Sequence, residues 1–393
     1  MIYLDNAATT RMDPDVLKEM LPYLKERFGN PSSMHYMGME AKNAVEGSRK
    51  KIANHLNCQP EELIFTGSGT ESDNLAILGF ARQNKERGNH LITSKIEHPA
   101  VMNCFKQLEK EGFNITYIDV DTDGIIDLKQ LENAITAKTI LVSVIYANNE
   151  IGVIQDIPAI TDICRKNKVT FHTDACQATN YLEIDVKKLG VDMMTINASK
   201  IYGPKGVGVL FRRKGTGIQP IIFGGGQESG LRAGTENVAN IVGMAKALEL
   251  AIKMGEKESA RIGKLRDRLI DGLLELPETR LNGHPTKRLP NNVNISFLNI
   301  EGESLLLMMG EEGIYASTGS ACSSSKLEPS HVITAIGMPH EISHSSIRMT
   351  LGRQTTKKDI DQVLDKMPGI VERLRKISAL NMTMEHVLGD KHG

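Results

Sequence analysis

The residues able to do chemistry sit in short polar segments at the ends of apolar runs. Cys322 lies in Ser317-Thr318-Gly319-Ser320-Ala321-Cys322-Ser323-Ser324-Ser325-Lys326, which offers almost no apolar side chain to pack on. Such a segment is expected to form a mobile loop presenting an exposed thiol, with Lys326 nearby to favour the thiolate. Cys104 beside Phe105 and Cys164 beside Ile163 read instead as structural. Lys200 follows an apolar run and precedes the turn Ile201-Tyr202-Gly203-Pro204-Lys205-Gly206. A lysine there forms a Schiff base if desolvation lowers its pKa, and is an idle solvated side chain otherwise. Lys205, between Pro204 and Gly206, has the setting of a turn tip.

Gly67-Ser68-Gly69-Thr70 also follows an apolar run and opens a helical pattern, so its amides and the helix dipole can receive a phosphate. Ser72 stands where a dinucleotide fingerprint would carry its third glycine, which favours a mononucleotide or a phosphorylated cofactor. A plain strand-to-helix turn fits the same residues equally well. Asp174 and Gln177 come just past the apolar run 169–172, where open α/β sheets present ligand groups. The carboxylate could hold a protonated pyridine nitrogen, bind a metal or cap the next segment. No His, Cys and carboxylate cluster shares a metal-like spacing with it, so no metal is expected.

The elements that must position these residues alternate along the chain. Apolar runs at 62–66, 90–93, 114–118, 140–145, 169–172, 193–196 and 208–211 read as strands, and helical patterns at 40–55, 70–83 and 157–166 supply crossovers. This is the pattern of an α/β unit, a mostly parallel seven-stranded sheet with helices on both faces. A long helical pattern over 236–274 is interrupted at 255–259, which sets a boundary. The expected division is a large domain over 15–256 and a smaller α+β domain made of 1–14 and 257–393. The second unit reads as a strand at 292–297, a helix at 302–309, the Ser- and Gly-rich loop, a strand at 347–351 and a final helix at 357–377. The polar tail from Asn381 is expected to fray.

Composition narrows the function classes. Of 393 residues 40% are hydrophobic and 24% charged, as in a globular enzyme rather than a disordered chain. Forty-seven Lys and Arg against 48 Asp and Glu leave a net charge of −1, with no bulk attraction to nucleic acid or anionic lipid. The start, MIYLDNAATT, lacks a basic region followed by an apolar run, and no later stretch approaches the roughly eighteen apolar residues of a membrane span. The expected location is the cytoplasm. Five widely spaced cysteines without a CxxC pair argue against a disulfide framework or a zinc knuckle.

Taken in order, the motifs resemble the NifS/IscS-type cysteine desulfurases, of the fold-type I, aminotransferase class V-like pyridoxal-phosphate enzymes. The resemblance runs from Tyr3-Leu4-Asp5-Asn6-Ala7-Ala8-Thr9-Thr10 through Asn30-Pro31-Ser32-Ser33, Thr70-Glu71-Ser72-Asp73-Asn74, Glu97-His98, Asn148-Asn149-Glu150-Ile151-Gly152, Asp174-Ala175-Cys176-Gln177 and Gly224-Gly225-Gly226-Gln227-Glu228 to Cys322 and Arg348. It implies that Lys200 holds pyridoxal 5'-phosphate and moves protons, while Asp174 keeps the pyridine nitrogen protonated so that the ring is an electron sink. It implies that Gln177 and Asn149 hydrogen-bond the ring hydroxyl and that Asn149 also reaches the substrate. His98 would stack on the pyridine and serve in proton transfer. Gly69 and Thr70 would cradle the phosphate, joined by Thr235 from the other subunit of a homodimer. Arg348 would grip the substrate carboxylate, and Cys322 would take the sulfur as a persulfide. Asn197 and Ser199 depart from the usual Ser and His before the lysine; Asn197 can still donate to a phosphate oxygen, and Ser199 offers a hydroxyl.

The resemblance therefore implies conversion of L-cysteine to L-alanine, with sulfur passed to an acceptor such as an iron–sulfur cluster scaffold protein. Two rivals stand beside it: a selenocysteine lyase on the same scaffold, and a sulfur-relay or docking protein whose cofactor is weakly held.

Overall fold

The computed structural model describes residues 1–318, 329–379 and 382–385. Its centre is a sheet of seven strands in the order Leu63–Thr66, Gly208–Arg212, Met193–Asn197, Thr170–Asp174, Thr139–Ser143, His90–Ser94 and Asn114–Ile118. Gly208–Arg212 runs antiparallel to both neighbours, and the other four pairings are parallel. Parallel strands buried on both faces need continuous apolar runs, which is why these segments lack alternation. Near their carboxyl ends the strands turn polar. Thr93, Ser143, His172 and Thr195 are fully buried, and a chain of hydrogen bonds joins Ser143 Oγ, the His172 ring and Thr195 Oγ1 across three strands.

Helices cover both faces, and local sequence explains their limits. The helix Ile157–Lys166 starts where Asp156 accepts from the Ala159 amide, with Pro158 in its first turn, and it buries Ile157, Ile160, Thr161 and Cys164. The final helix, Lys357–Ile377, opens on a reciprocal Thr356–Asp359 capping box and buries Ile360, Val363, Met367, Ile370, Val371 and Leu374.

Two boundaries differ from the sequence reading. The strand expected at 169–172 extends to Asp174, so this carboxylate is the last residue of the strand and not a residue beyond it. The interruption at 255–259 is absent: Val238–Leu274 is one continuous helix. Its apolar stripe fades because the helix passes from one core to another, with Ala251 in the first and Ile262 in the second. Glu and Lys are good helix formers, and the Arg261–Glu258 ion pair spans a turn at this point.

The second unit has a four-stranded antiparallel sheet in the order Ser317–Thr318, Ser346–Thr350, Asn292–Phe297 and Thr279–Leu281, packed on Gly302–Glu311 and the final helix. The N-terminal strand Ile2–Tyr3 pairs with Ile314–Tyr315 of this unit, and Leu4 lies in its core, while Val16 lies in the core of the large sheet. We propose on this basis the division into 15–256 and 1–14 with 257–393, the long helix running through it. A further cluster joins the units: Ile96, Ile145, Ile151 and Val153 of the first meet Leu298, Val332, Ile333 and Ile336 of the second. Among the described residues no helix is long and apolar enough to cross a membrane.

Candidate active site

At the carboxyl edge of the large sheet, where it faces the second unit, lies a cavity of about 330 Å³. Its wall includes Gly69, Thr70, His98, Asn149, Asp174, Gln177, Asn197, Lys200 and Arg348, drawn from segments far apart in the chain. Each large-unit member ends a strand or follows one, as ligand groups do in sheets of this kind.

The helical run beginning at Gly69 is capped by Ser68, whose side chain accepts from the Glu71 amide. First-turn amides have no carbonyl a turn behind them, so they are available to an anion. A Cβ on Gly69 would lie 2.7 Å from Cys176 Sγ and 3.2 Å from Asn197 Nδ2, so only glycine keeps this cradle open. Asn197 Oδ1 accepts from the amide and hydroxyl of Ser199, at 2.8 and 2.9 Å. The Ser199 hydroxyl is thus turned onto Asn197, and Ser199 is not in the cavity wall.

Lys200 ends the short 3₁₀ turn Ala198–Lys200, and its ammonium donates to the Ala8 carbonyl. Gln177 Nε2 donates to the Ala7 carbonyl at 2.9 Å, so the N-terminal segment closes one side of the cavity. Asp174 accepts from the Cys176 amide at 2.9 Å. Asp73 lies beside Asp174, fully buried, its Oδ1 without a hydrogen-bond partner and 3.7 Å from His172 Nε2. Burial, then the Asp174 charge, raises the Asp73 carboxyl well above its ordinary range, which favours its neutral form.

His98 Nδ1 accepts from the Ala100 amide at 3.1 Å, capping the helix Pro99–Lys110. The ring proton is therefore on Nε2, and burial lowers the ring's pKa against the raising effect of Asp174. Arg348, on the strand Ser346–Thr350, donates to the Asn149 carbonyl at 3.0 Å and to Asp5 at 2.9 Å. Its Nε is buried without a partner, a donor suited to a carboxylate entering the cavity.

The aminotransferase class-V family matches residues 2–363. The chain is 53% identical over 379 residues to cysteine desulfurase IscS of Methanosarcina thermophila, covering 96% of this chain and 94% of that one. The chain belongs to the cysteine desulfurases. Cysteine desulfurase IscS 1 of Archaeoglobus fulgidus is 50% identical over 380 residues, covering 97% of this chain and 99% of that one. The solved structure of a NifS-like protein aligns with a TM-score of 0.90 at 39% identity, covering 95% of this chain and all of that one.

The cofactor of a desulfurase of this class is pyridoxal phosphate, and the open cradle at Gly69, the carboxylate of Asp174 and the amine of Lys200 fit its phosphate, ring nitrogen and aldehyde. Of the expected site residues that the structure describes, Ser199 and Thr235 are not in the cavity wall. Thr235 is exposed in the loop before the long helix, and Cys322 lies outside the described residues. Four titratable wall residues escaped the sequence reading as site members: Asp73, Glu150, Cys176 and His331. Asp73 carried a readable signal, a carboxylate one turn beyond Gly69 in a helix otherwise turned toward the sheet. His331 carried none, since nothing in its sequence neighbours brings it to the cavity.

Proposed function

We propose that the chain removes sulfur from L-cysteine, leaving L-alanine, with Lys200, Asp174, His98, Gln177, Asn149 and Arg348 acting in one cavity and Cys322 receiving the sulfur. The convergence of those six side chains in about 330 Å³ carries the reading. When bound, pyridoxal phosphate supplies the electron sink that makes bonds at the α- and β-carbons of the amino acid breakable.

The chain's own residues do the rest. Lys200 supplies the amine that holds the cofactor and later carries protons. Asp174, beside the buried Asp73, would supply the charge that stabilises a protonated ring nitrogen. His98, with its Nδ1 held by the Ala100 amide, would present Nε2–H and stack against the ring. Gln177 and Asn149 would hold the ring hydroxyl, and Asn197 Nδ2 would join the amides of Gly69 and Thr70 in holding the phosphate. Arg348 takes the carboxylate of L-cysteine.

Elimination supports Cys322 as the sulfur acceptor within the enzyme. Burial pushes the thiols of Cys58, Cys104 and Cys164 up to about 12 and that of Cys176 up as well, which leaves them un-ionised. Thr235 is exposed, and Phe223, twelve residues earlier, is 82% exposed, as expected of a surface that meets a second copy and completes its phosphate site. A cytoplasmic iron–sulfur cluster scaffold protein is the acceptor proposed for the sulfur. Purified protein is expected to show the visible absorbance of bound pyridoxal phosphate and, with a thiol reductant added to reduce the persulfide, to release alanine and sulfide from L-cysteine in equal amounts. A colourless protein that pyridoxal phosphate cannot restore would overturn the reading.

A further inference from the structure

The N-terminal turn 5–9 touches three site side chains at once. Its Ala7 carbonyl accepts from Gln177 Nε2 at 2.9 Å, its Ala8 carbonyl accepts from the Lys200 ammonium, and its Asp5 carboxylate accepts from Arg348 Nη2 at 2.9 Å. Gln177 and Lys200 follow strands of the large sheet and Arg348 lies on a strand of the four-stranded sheet, so one turn bridges the two.

The turn is itself firmly held. The Asp5 carbonyl accepts from the amides of Ala8 and Thr9, at 3.1 and 3.4 Å. The Tyr3 hydroxyl, shared between the carbonyls of Asp5 and Thr9 at 3.0 and 2.8 Å, closes it. Thr350 ties the turn to the second sheet: its carbonyl accepts from Asn6 Nδ2 and its Oγ1 accepts from the Ala7 amide, both at 2.8 Å. Residues two apart on a strand share a face, so the Thr350 hydroxyl holds the turn over the face that carries Arg348.

Arg348 needs that support. Its side chain is 5% exposed, and a guanidinium taken out of water depends on the acceptors around it for both its charge and its direction. Nη1 donates to the Asn149 carbonyl at 3.0 Å, Nη2 donates to Asp5, and Nε is left buried without a partner. Acceptors at two separate nitrogens fix the plane of the fork and leave Nε for an incoming group. The Asp5 carboxylate has Arg348 as its one hydrogen-bond partner among the described residues, and Asp5 is not in the cavity wall. We infer that Asp5 aims Arg348: it is a positioning residue that holds the guanidinium where the carboxylate of the amino acid meets Nε, and so helps select amino acids over amines that lack that group. The inference rests on the reading of Arg348 as the grip on the substrate carboxylate.

The test follows the absorbance of the cofactor-loaded protein during titration with L-alanine and with L-alanine methyl ester, which has the same amine and no carboxylate charge. Neither compound calls on Cys322. Asp5→Ala is expected to keep the cofactor absorbance and to bind L-alanine about tenfold more weakly, while the ester binds within about twofold of wild type. In turnover the loss is expected in KM for L-cysteine, with kcat within about twofold. Asp5→Asn keeps an acceptor oxygen at the same reach and is expected to bring L-alanine binding back to within about threefold of wild type. If Asp5→Ala fails to fold, Asp5→Ser, too short to reach Arg348 and at home in a turn, takes its place. L-alanine bound as tightly as by wild type, or more tightly, would overturn the inference, since Asp5 would then be idle or a competitor of the substrate. So would equal weakening of the ester, or an Asn variant as weak as the Ala variant. Wild-type L-alanine affinity in Arg348→Ala would sink the reading of Arg348, and the inference with it, whereas weak binding by Arg348→Ala beside an unaffected Asp5→Ala would sink only the inference.

Discussion

Lys200 and Lys205 are five residues apart, and only their surroundings separate their roles. Lys200 donates to the Ala8 carbonyl inside the cavity wall, whereas Lys205 is exposed beyond the Gly-Pro turn. Lys200→Ala is expected to lose the cofactor's visible absorbance and all turnover, and Lys205→Ala to keep both; a spectrum and a sulfide assay decide. Glu97 makes a pH prediction. Burial lifts its carboxyl from 4.5 to about 8, against hydrogen bonds from Ser94 and Ile145 that favour the charge. Between those two values the folded protein holds a proton that the unfolded chain has lost, so this group makes stability fall as pH rises across the window. Thermal melts at about pH 5 and about pH 8 should show a smaller drop for Glu97→Gln than for wild type. At this scale the sequence was most informative where a residue type is chemically pointed, as for Lys200 and Asp174. It was silent on His331, whose place depends on a contact with Glu97 across 234 positions of chain.

The elements were legible because apolar runs and helical spacing repeat so regularly. All seven expected strands join one sheet, and the helix expected at 157–166 is Ile157–Lys166. The long helix was misjudged, since a lost apolar stripe marks a change of core as well as a helix end. Gly255 sits inside that helix in open space, with the nearest outside atom 3.9 Å from an added Cβ. Gly255→Ala is therefore expected to stabilise the protein by about 0.5–1 kcal/mol, read by denaturant unfolding. A loss of stability would argue against a continuous helix. Gly69→Ala is the opposite case, because its Cβ would fill the cradle between Cys176 and Asn197. That variant should fold, with wild-type circular dichroism, yet bind pyridoxal phosphate at least about tenfold more weakly. Equal affinity would place the phosphate elsewhere.

The whole molecule joins two units around one site, with Arg348 from the smaller reaching groups on the larger. The proposed sharing of each site between two copies gives a sharp expectation for Thr235. Mixed after co-refolding, Thr235→Ala and Lys200→Ala chains form dimers with one intact site, which should restore roughly a quarter of wild-type turnover. No gain over the separate variants would mean that Thr235 serves its own chain or none. The central claim concerns where the sulfur goes, and intact-mass analysis after mixing with L-cysteine reads this most directly. Wild type should gain one sulfur atom, mapped to Cys322, while Cys322→Ser gains none though its cofactor absorbance still responds to the amino acid. Sulfur mapped to Cys58, Cys104, Cys164 or Cys176, or sulfide release by Cys322→Ser at the wild-type rate, would contradict the account.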